Sequence, residues 1–288
     1  MTAQLPLIAP AELQRLLSQA SANVLIADCS FELTDPSAGR RAYEAGHLPG
    51  AVYVHLEESL SAPKTGRNGR HPLPERAAFA RRMAALGADD DTLVVACDNA
   101  GGMYAARLWW MLRWAGHAAC AVLDGGVATW KAEGLPIEAG PPAARAAGGF
   151  TLRNPLVTAV DYAAVRANLA QGERLVVDAR AADRFRGENE TLDPIGGHIP
   201  GARNRPFRDN LGADGRFKPA AALRAEFAQL LGDRPVSSVI SQCGSGVTAC
   251  HNLLAMEVAG LHGAALYPGS WSEWSAQPGA PIATGDER

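Results

Sequence analysis

The chain has 288 residues, of which 47% are hydrophobic and 20% are charged, so it is long enough to bury one large or two medium cores. Its formal net charge of -3 gives no electrostatic basis for binding nucleic acid or an anionic membrane. We therefore expect a globular protein that binds neither nucleic acid nor membranes.

The cysteines and the N-terminal residues predict a soluble protein of the cytoplasm. The five cysteines are Cys29, Cys97, Cys120, Cys243 and Cys250. They are odd in number and lack CxxC spacing, which disfavours a disulfide framework and a zinc site. Residues 1–10 lack the basic and apolar parts of a secretory signal, and no later apolar run reaches membrane-spanning length. The sequence implies no metal, nucleotide or flavin cofactor.

Two halves of the chain repeat the same order of predicted elements. In each half a β-branched run is followed by a turn of sequence Gly-His-x-Pro-Gly-Ala. The matching segments are Val24–Asp28 with Gly46–Ala51, and Leu175–Arg180 with Gly197–Ala202. Because both halves contain the turn, we interpret His47 and His198 as structural residues whose imidazoles bond nearby backbone.

The correspondence continues towards the end of each half. A predicted strand over Thr92–Ala96 matches a predicted strand over Val236–Ile240. This alignment puts Asp98 opposite Cys243. Only the second half therefore has a candidate nucleophile.

Strand-like runs alternate with amphipathic, helix-period stretches in both halves. These stretches are Pro74–Leu86, Ala105–Ala115, Ala220–Leu231 and Val247–Val258. The alternation predicts an α/β fold in which each half has a mostly parallel sheet flanked by helices. Ligands of such sheets bind beyond the C-terminal ends of the strands.

A stretch rich in Pro, Gly and Ala separates the two halves. It spans residues 139–149 and has no periodic pattern, as is typical of a linker that runs over the surface. We predict a first domain over residues 1–140, a linker over residues 141–153, and a second domain over residues 154–288 that carries the candidate nucleophile.

Cys243 follows the predicted strand Val236–Ile240 and precedes the predicted helix Val247–Val258. Gly244 and Gly246 allow the backbone to curl without Cβ clashes, so that amide N–H groups point at the sulfur. The helix adds the positive end of its dipole, and both effects favour an anionic sulfur. We interpret Cys243 as a reachable nucleophile rather than a core cysteine, because the two glycines are costly unless the backbone wraps a ligand.

Cysteine phosphatases also hold an anion in a loop after a cysteine, with the pattern Cys-x5-Arg. Ala249 stands at the arginine position here, so a phosphate dianion would lose its bidentate partner and phosphatase activity is not expected. Three arginines follow the end of another predicted strand, namely Arg180, Arg184 and Arg186. They are candidates for binding an anionic substrate, and the alternative is a set of surface charges paired with nearby carboxylates.

The sequence Cys-Gly-Ser-Gly-Val-Thr that begins at Cys243 resembles the active-site loop of the two-domain sulfurtransferases of the rhodanese superfamily. It is closest to the 3-mercaptopyruvate type, because the thiosulfate-preferring type carries Arg and Lys where this chain has Gly244 and Ser245. The resemblance covers essentially the whole chain. It implies two tandem rhodanese-like domains, the first of which lacks the nucleophile.

The resemblance also implies which residues act. Cys243 would be the nucleophile and Arg184 would bind the donor, with Arg186 nearby. The loop residues that would hold the donor and its sulfur are Gly244, Gly246, Val247 and Thr248. Enzymes of the mercaptopyruvate type carry a second arginine where this chain has Asp193, a departure that should reduce donor affinity unless Arg186 or Arg205 takes its place.

A proton relay built on Ser245 is implied by the same resemblance. His71 matches the family's histidine, and Glu57 stands where the family has an aspartate. Such a relay would handle a proton between the pyruvate enolate and solvent. From the residues alone, a histidine in a polar, Gly-rich loop is equally well a solvated and idle side chain.

The expected function is sulfur transfer from a small-molecule donor. Cys243 would take sulfur from 3-mercaptopyruvate and pass the persulfide to a thiol such as thioredoxin or glutathione, or to cyanide. Two alternatives stay open, which are a preference for thiosulfate and a non-catalytic carrier that receives persulfide from another enzyme. The neutral Gly244 and Ser245 argue against thiosulfate, because that donor is a dianion.

Overall fold

Two parallel β-sheets of five strands each organise this protein, seen in a computed structural model that describes residues 6–19, 21–141 and 145–286. The longer strands are apolar and buried on both faces, as is usual where helices cover both sides of a parallel sheet. The predicted α/β class, with parallel sheets flanked by helices, is confirmed.

The first sheet is formed by strands from the first half of the chain. Its strands are β1 (Leu7–Ile8), β2 (Val24–Asp28), β3 (Val52–Tyr53), β4 (Leu93–Cys97) and β5 (Cys120–Leu123). They lie in the order β1-β5-β4-β2-β3, so β4 is the central strand. The helices of this half are α1 (Pro10–Leu17), α2 (Ala38–Ala45), α3 (Leu56–Ser59), α4 (Arg76–Ala85), α5 (Ala105–Trp114) and α6 (Gly126–Ala132).

The second sheet repeats this topology. Its strands are β6 (Thr158–Ala159), β7 (Leu175–Asp178), β8 (Arg203–Asn204), β9 (Val239–Gln242) and β10 (Ala265–Leu266), in the order β6-β10-β9-β7-β8. Its helices are α7 (Tyr162–Gln171), α8 (Ala182–Arg186), α9 (Ala220–Leu231), α10 (Thr248–Val258) and α11 (Ser270–Trp274). Within the described ranges, every helix is too short or too polar to cross a lipid bilayer.

The described residues form two compact units that do not follow chain order strictly. The first unit contains residues up to 61, 74–156 and 213–217, and the second contains 62–73, 157–212 and residues from 218 onwards. The segment 62–73 therefore belongs to the unit of the second sheet. The division into domains at 1–140 and 154–288 stays a prediction, and residues 142–144 of its linker lie outside the described part of the chain.

The strand before Cys243 starts later than the sequence predicted. Instead of a strand over Val236–Ile240, residues Val236–Ser238 form a 3-10 turn, and β9 begins at Val239. Pro235 fixes the backbone before the turn, and both the N–H and the hydroxyl of Ser238 donate to its carbonyl, at 2.9 and 2.8 Å. A local side-chain bond of this kind competes with sheet hydrogen bonding, which explains the difference.

His47 and His198 occupy equivalent turns, as the repeat predicted. Nδ1 of His47 lies 2.7 Å from the carbonyl oxygen of Tyr43, and Nδ1 of His198 lies 2.8 Å from that of Phe185. Each imidazole also stacks on the ring of that aromatic residue, with centroids 3.9 and 3.7 Å apart. The interpretation that both histidines bond nearby backbone is confirmed.

Candidate active site

Cys243 lies at the C-terminal edge of the second sheet, directly after the central strand β9 and before α10. Its N–H donates to the hydroxyl of Ser270 at 3.0 Å, and its carbonyl accepts from the N–H of Trp271 at 2.9 Å. Cys243 is only 2% exposed. From the sequence we expected a reachable sulfur, whereas the residue is buried in this conformation.

Ser270 supports Cys243 at a conformational cost. It is fully buried and has a φ of 55°, the one left-handed φ found at a non-glycine residue in the described ranges. The equivalent residue of the first half is Gly126, with a φ of 59°. A serine in this region costs about 1–2 kcal/mol. Its hydroxyl compensates by accepting from Cys243 and donating to the carbonyl of Tyr267 at 2.8 Å.

The two loop glycines, Gly244 and Gly246, each allow a different group to approach the backbone closely. Gly246 has a φ of 75°, and a Cβ there would stand 2.3 Å from the carbonyl oxygen of Pro268. A Cβ on Gly244 would stand 3.0 Å from a guanidinium nitrogen of Arg70 and 3.6 Å from one of Arg184. The loop thus passes close to main chain on one side and to two cations on the other.

Replacing Gly246 with alanine is expected to destabilise the loop by more than about 2 kcal/mol, because the left-handed φ and the clash with Pro268 add together. Urea unfolding measures the loss. Gly201→Ala is the matched control, because Gly201 has a φ of 78° but open space around its Cβ position. Equal losses in the two variants would contradict the role given to the Pro268 contact.

The loop contains several backbone donors directly after the cysteine. Among the described residues, the N–H groups of Gly244, Ser245 and Val247 find no acceptor within the chain. Three such donors within four residues at the start of a helix form a site for an anion. The predicted loop role of Gly244, Gly246, Val247 and Thr248 fits this arrangement and stays a prediction.

The equivalent loop of the first half shows what such a backbone can hold. Asp98 follows the central strand β4 there, at the position that Cys243 has after β9. Its side-chain oxygens accept four backbone N–H groups at 2.8 to 2.9 Å. The donors are Ala100, Gly102, Tyr104 and Ala105. A loop at this place in the fold therefore wraps its amides around an anionic group.

Ser245 and His71 are brought together, as the relay hypothesis requires. Nδ1 of His71 lies 2.7 Å from the hydroxyl oxygen of Ser245, and both residues are buried. His71 reaches this position because segment 62–73 packs within the second unit. The pair is positioned for proton transfer between imidazole and hydroxyl.

Glu57 lies in the first unit, in the first turn of α3. Its N–H donates to Nδ1 of His55, which caps that short helix. Its proposed part in the relay with His71 stays a prediction.

Arg184 lies beside the loop within a network of charges. Its guanidinium group donates to both carboxylate oxygens of Glu190, at 3.0 and 2.8 Å, and pairs with Asp193 at 3.3 Å. Asp193 also pairs with Arg70 at 2.7 Å. Burial opposes ionisation of Glu190, but hydrogen bonds from Arg184 and from backbone outweigh it and lower the pKa of Glu190.

A more deeply buried ion pair lies next to this network. Arg180 binds Asp178 with contacts of 2.6 to 3.1 Å, and its guanidinium group lies 4.6 Å from the ring centroid of Trp271. Burial favours the neutral form of Arg180, yet the charges of Asp178, Glu190 and Cys243 together raise the pKa of Arg180. Arg180 is thus a permanent positive charge close to Cys243.

Arg186 and Arg205 do not contribute to this cluster. Arg186 pairs with Glu188 at 2.7 Å on the surface, and Arg205 pairs with Glu226 at 2.8 Å. A second guanidinium group near Gly244 belongs to Arg70, whereas Arg186 and Arg205 were the two arginines considered from the sequence. The signal for Arg70 was its position directly before His71, in the segment already selected for the relay.

The fold and the loop define an α/β protein of two matching parallel sheets, with a candidate cysteine nucleophile at the C-terminal edge of the second. The sequence matches the rhodanese-like domain family twice, over residues 9–133 and 161–277. The chain therefore belongs to the rhodanese family of sulfurtransferases.

Named relatives indicate the kind of enzyme. The chain is 48% identical over 266 residues to a Pseudomonas aeruginosa protein named "Probable 3-mercaptopyruvate sulfurtransferase", with 92% of this chain and 93% of that protein covered. It is 37% identical over 258 residues to the thiosulfate sulfurtransferase of Cricetulus griseus, with 88% and 85% covered. The structure of 3-mercaptopyruvate sulfurtransferase from Leishmania major superposes with a TM-score of 0.84 at 30% identity, covering 96% of this chain and 75% of that one.

Proposed function

We propose that this enzyme takes sulfur from 3-mercaptopyruvate onto Cys243 and passes the resulting persulfide to a thiol acceptor or to cyanide. The observation that carries the proposal is the loop itself, in which three backbone N–H groups that follow Cys243 have no acceptor among the described residues. Those donors and the N-terminus of α10 would stabilise a negatively charged outer sulfur.

The first half-reaction moves one sulfur atom and one proton. The Cys243 thiolate attacks the sulfur of 3-mercaptopyruvate, an S–S bond forms, and the C–S bond breaks to leave the pyruvate enolate. The proton of the donor thiol moves to the enolate carbon, so that the products are a persulfide anion and pyruvate. The hydrogen-bonded pair of Ser245 and His71 would transfer that proton, and Glu57 is the carboxylate that we assign to the same relay.

Two features favour 3-mercaptopyruvate over thiosulfate as the donor. Gly244 and Ser245 are neutral, and a dianion such as thiosulfate requires more positive charge in the loop than a monocarboxylate does. Arg184 and Arg70 lie over Gly244, where they would bind the single carboxylate of 3-mercaptopyruvate. The identity to the Pseudomonas aeruginosa relative supports the same choice.

The proposal includes a reducing location and a thiol partner. All five cysteines are free and buried, which suits the cytoplasm. Thioredoxin or glutathione would then regenerate the Cys243 thiolate by attacking the outer sulfur, and cyanide would do so in the assay.

The test uses the reduced protein and two donors. With 3-mercaptopyruvate we expect stoichiometric pyruvate before any acceptor is added, together with a protein mass higher by one sulfur atom. With thiosulfate we expect a lower kcat/KM. A higher kcat/KM for thiosulfate would make thiosulfate the preferred donor and reject 3-mercaptopyruvate in that role. Sulfur loading only in the presence of another enzyme would favour the carrier hypothesis.

A further inference from the structure

The charges beside the catalytic loop are balanced within the second unit. Three guanidinium groups face three carboxylates there, in contacts of 2.6 to 3.4 Å. The cations are Arg70, Arg180 and Arg184, and the anions are Asp178, Glu190 and Asp193. An anionic donor that enters this cluster therefore meets no unpaired positive charge.

Asp193 is the carboxylate of the cluster that lies between the two cations beside the catalytic loop. Each of its two oxygens binds a different cation, Oδ1 with Arg70 at 2.7 Å and Oδ2 with Arg184 at 3.3 Å. Its side chain is only 4% exposed. These two guanidinium groups are also the ones that lie over Gly244, next to Cys243. The Asp193 carboxylate thus bridges two cations as the carboxylate of a bound substrate would.

The surrounding chain holds Asp193 in this place. Oε1 of Glu190 accepts the N–H groups of Leu192 and Asp193 at 2.9 and 3.1 Å, which fixes the turn that precedes Asp193. On the other side, the N–H of Arg70 donates to the hydroxyl of Ser272 at 2.9 Å. The N–H of Ser272 in turn donates to the carbonyl of Gly244 at 2.9 Å. Arg70 is therefore attached to the same helix that anchors the catalytic loop.

We propose that the Asp193 carboxylate is an internal competitor of the anionic donor, held between Arg70 and Arg184 where the donor's carboxylate must bind. The part of this inference that is tested by turnover rests on the proposed function. Donor binding then requires that the carboxylate of the donor displaces that of Asp193. The free energy of the Asp193 contacts therefore reduces the affinity of the enzyme for the donor. Asp193 is a specificity-determining residue, because a donor without a carboxylate gains nothing from the exchange.

The exchange is expected to depend on pH. Burial raises the pKa of Asp193, although Arg70 and Arg184 oppose this and the charge of Glu190 adds to it. In the described part of the chain, these three residues are the charged groups that face Asp193. As the pH falls, protonated Asp193 releases the two arginines while a donor carboxylate stays ionised. The KM for the donor should therefore decrease as the pH is lowered, until the protein begins to unfold.

Calorimetric titration of Asp193→Asn with pyruvate and with its neutral amide tests whether Asp193 competes with a bound carboxylate. Asparagine keeps the shape and removes the charge, so we expect about tenfold tighter binding of pyruvate and unchanged binding of the amide. The pH dependence of pyruvate binding should disappear in the variant. Glu188→Gln is the matched control, because it removes the same charge from a surface pair with Arg186. It should leave both affinities unchanged.

Pyruvate binding to Asp193→Asn that is no tighter than to the wild type would overturn the proposal, as would an equal gain for the amide. Asp193→Ser serves as a second variant if the asparagine variant fails to fold, and the same outcomes apply. In turnover, the KM for 3-mercaptopyruvate should fall about tenfold with kcat changed less than about twofold. Tighter pyruvate binding without any turnover of 3-mercaptopyruvate would reject the proposed function and leave the competitor in place.

Discussion

Replacing Cys243 with serine is expected to abolish sulfur transfer, with kcat/KM for 3-mercaptopyruvate lowered by at least about 10^4-fold. A serine hydroxyl in the same loop cannot form the S–S bond on which both half-reactions depend. The small change in size should leave the loop intact, since the contacts with Ser270 and Trp271 use the main chain of residue 243. Pyruvate release and the mass of the protein after incubation with donor measure the effect.

Cys120→Ser is the matched control for this variant. Cys120 is also a buried cysteine, in β5, and its sulfur lies 3.9 and 3.7 Å from the carbonyl oxygens of Trp109 and His117, so that its S–H, or a serine hydroxyl in its place, can donate to one of them. Full activity is expected in this control. Retention of activity by Cys243→Ser, or loss of activity in both variants, would contradict the assignment of the nucleophile.

The position of Cys243 was predictable because its signals are local in sequence. A β-branched run, two closely spaced glycines and a helix-period stretch lie within about two dozen residues, and together they specify a turn between strand and helix. The error at Val236–Ser238 had a local cause too, in Pro235 and Ser238. The types of the elements could be predicted from the sequence pattern. The start of β9 could not, because it depended on one hydrogen bond that competes with sheet pairing.

The charge cluster was predictable only in part, because its members are far apart in sequence. Arg184 was identifiable from the sequence, and Asp193 was recognisable as a departure from the family pattern. Arg70, which also pairs with Asp193, lies 123 residues before it. No periodicity or spacing connects such residues, and the packing of segment 62–73 within the second unit brings them together. Ser270 was missed for a related reason, since its role depends on a left-handed φ that serine rarely adopts.

Replacing Arg180 with leucine is expected to lower the free energy of unfolding by about 3–5 kcal/mol. Arg180 and Asp178 form an ion pair whose side chains are 1% and 0% exposed, so the variant leaves a buried carboxylate without its cation. Arg180 also donates to the carbonyl of Gly197 at 2.7 Å, and that bond is lost as well. Urea unfolding followed by far-UV circular dichroism measures the change.

Two further variants separate charge from packing in this experiment. Arg186→Leu, which breaks a surface pair with Glu188, should cost less than about 1 kcal/mol. Asp178→Leu combined with Arg180→Leu should regain part of the stability, because no uncompensated charge then remains in the core. A double variant as unstable as Arg180→Leu alone would show that lost packing, and not the unpaired carboxylate, causes the loss.

The first half of the chain supplies a natural comparison for the buried pair. Asp28 is the counterpart of Asp178 at the end of β2, and Ser30 stands where the second half has Arg180. Burial raises the pKa of Asp28, although a hydrogen bond from the N–H of Ser30 at 2.9 Å opposes this. Among the described residues no guanidinium group pairs with Asp28, so the fold accepts a carboxyl group here without one. Arg180 adds a positive charge close to Cys243, so its loss should impair sulfur transfer in variants that remain folded.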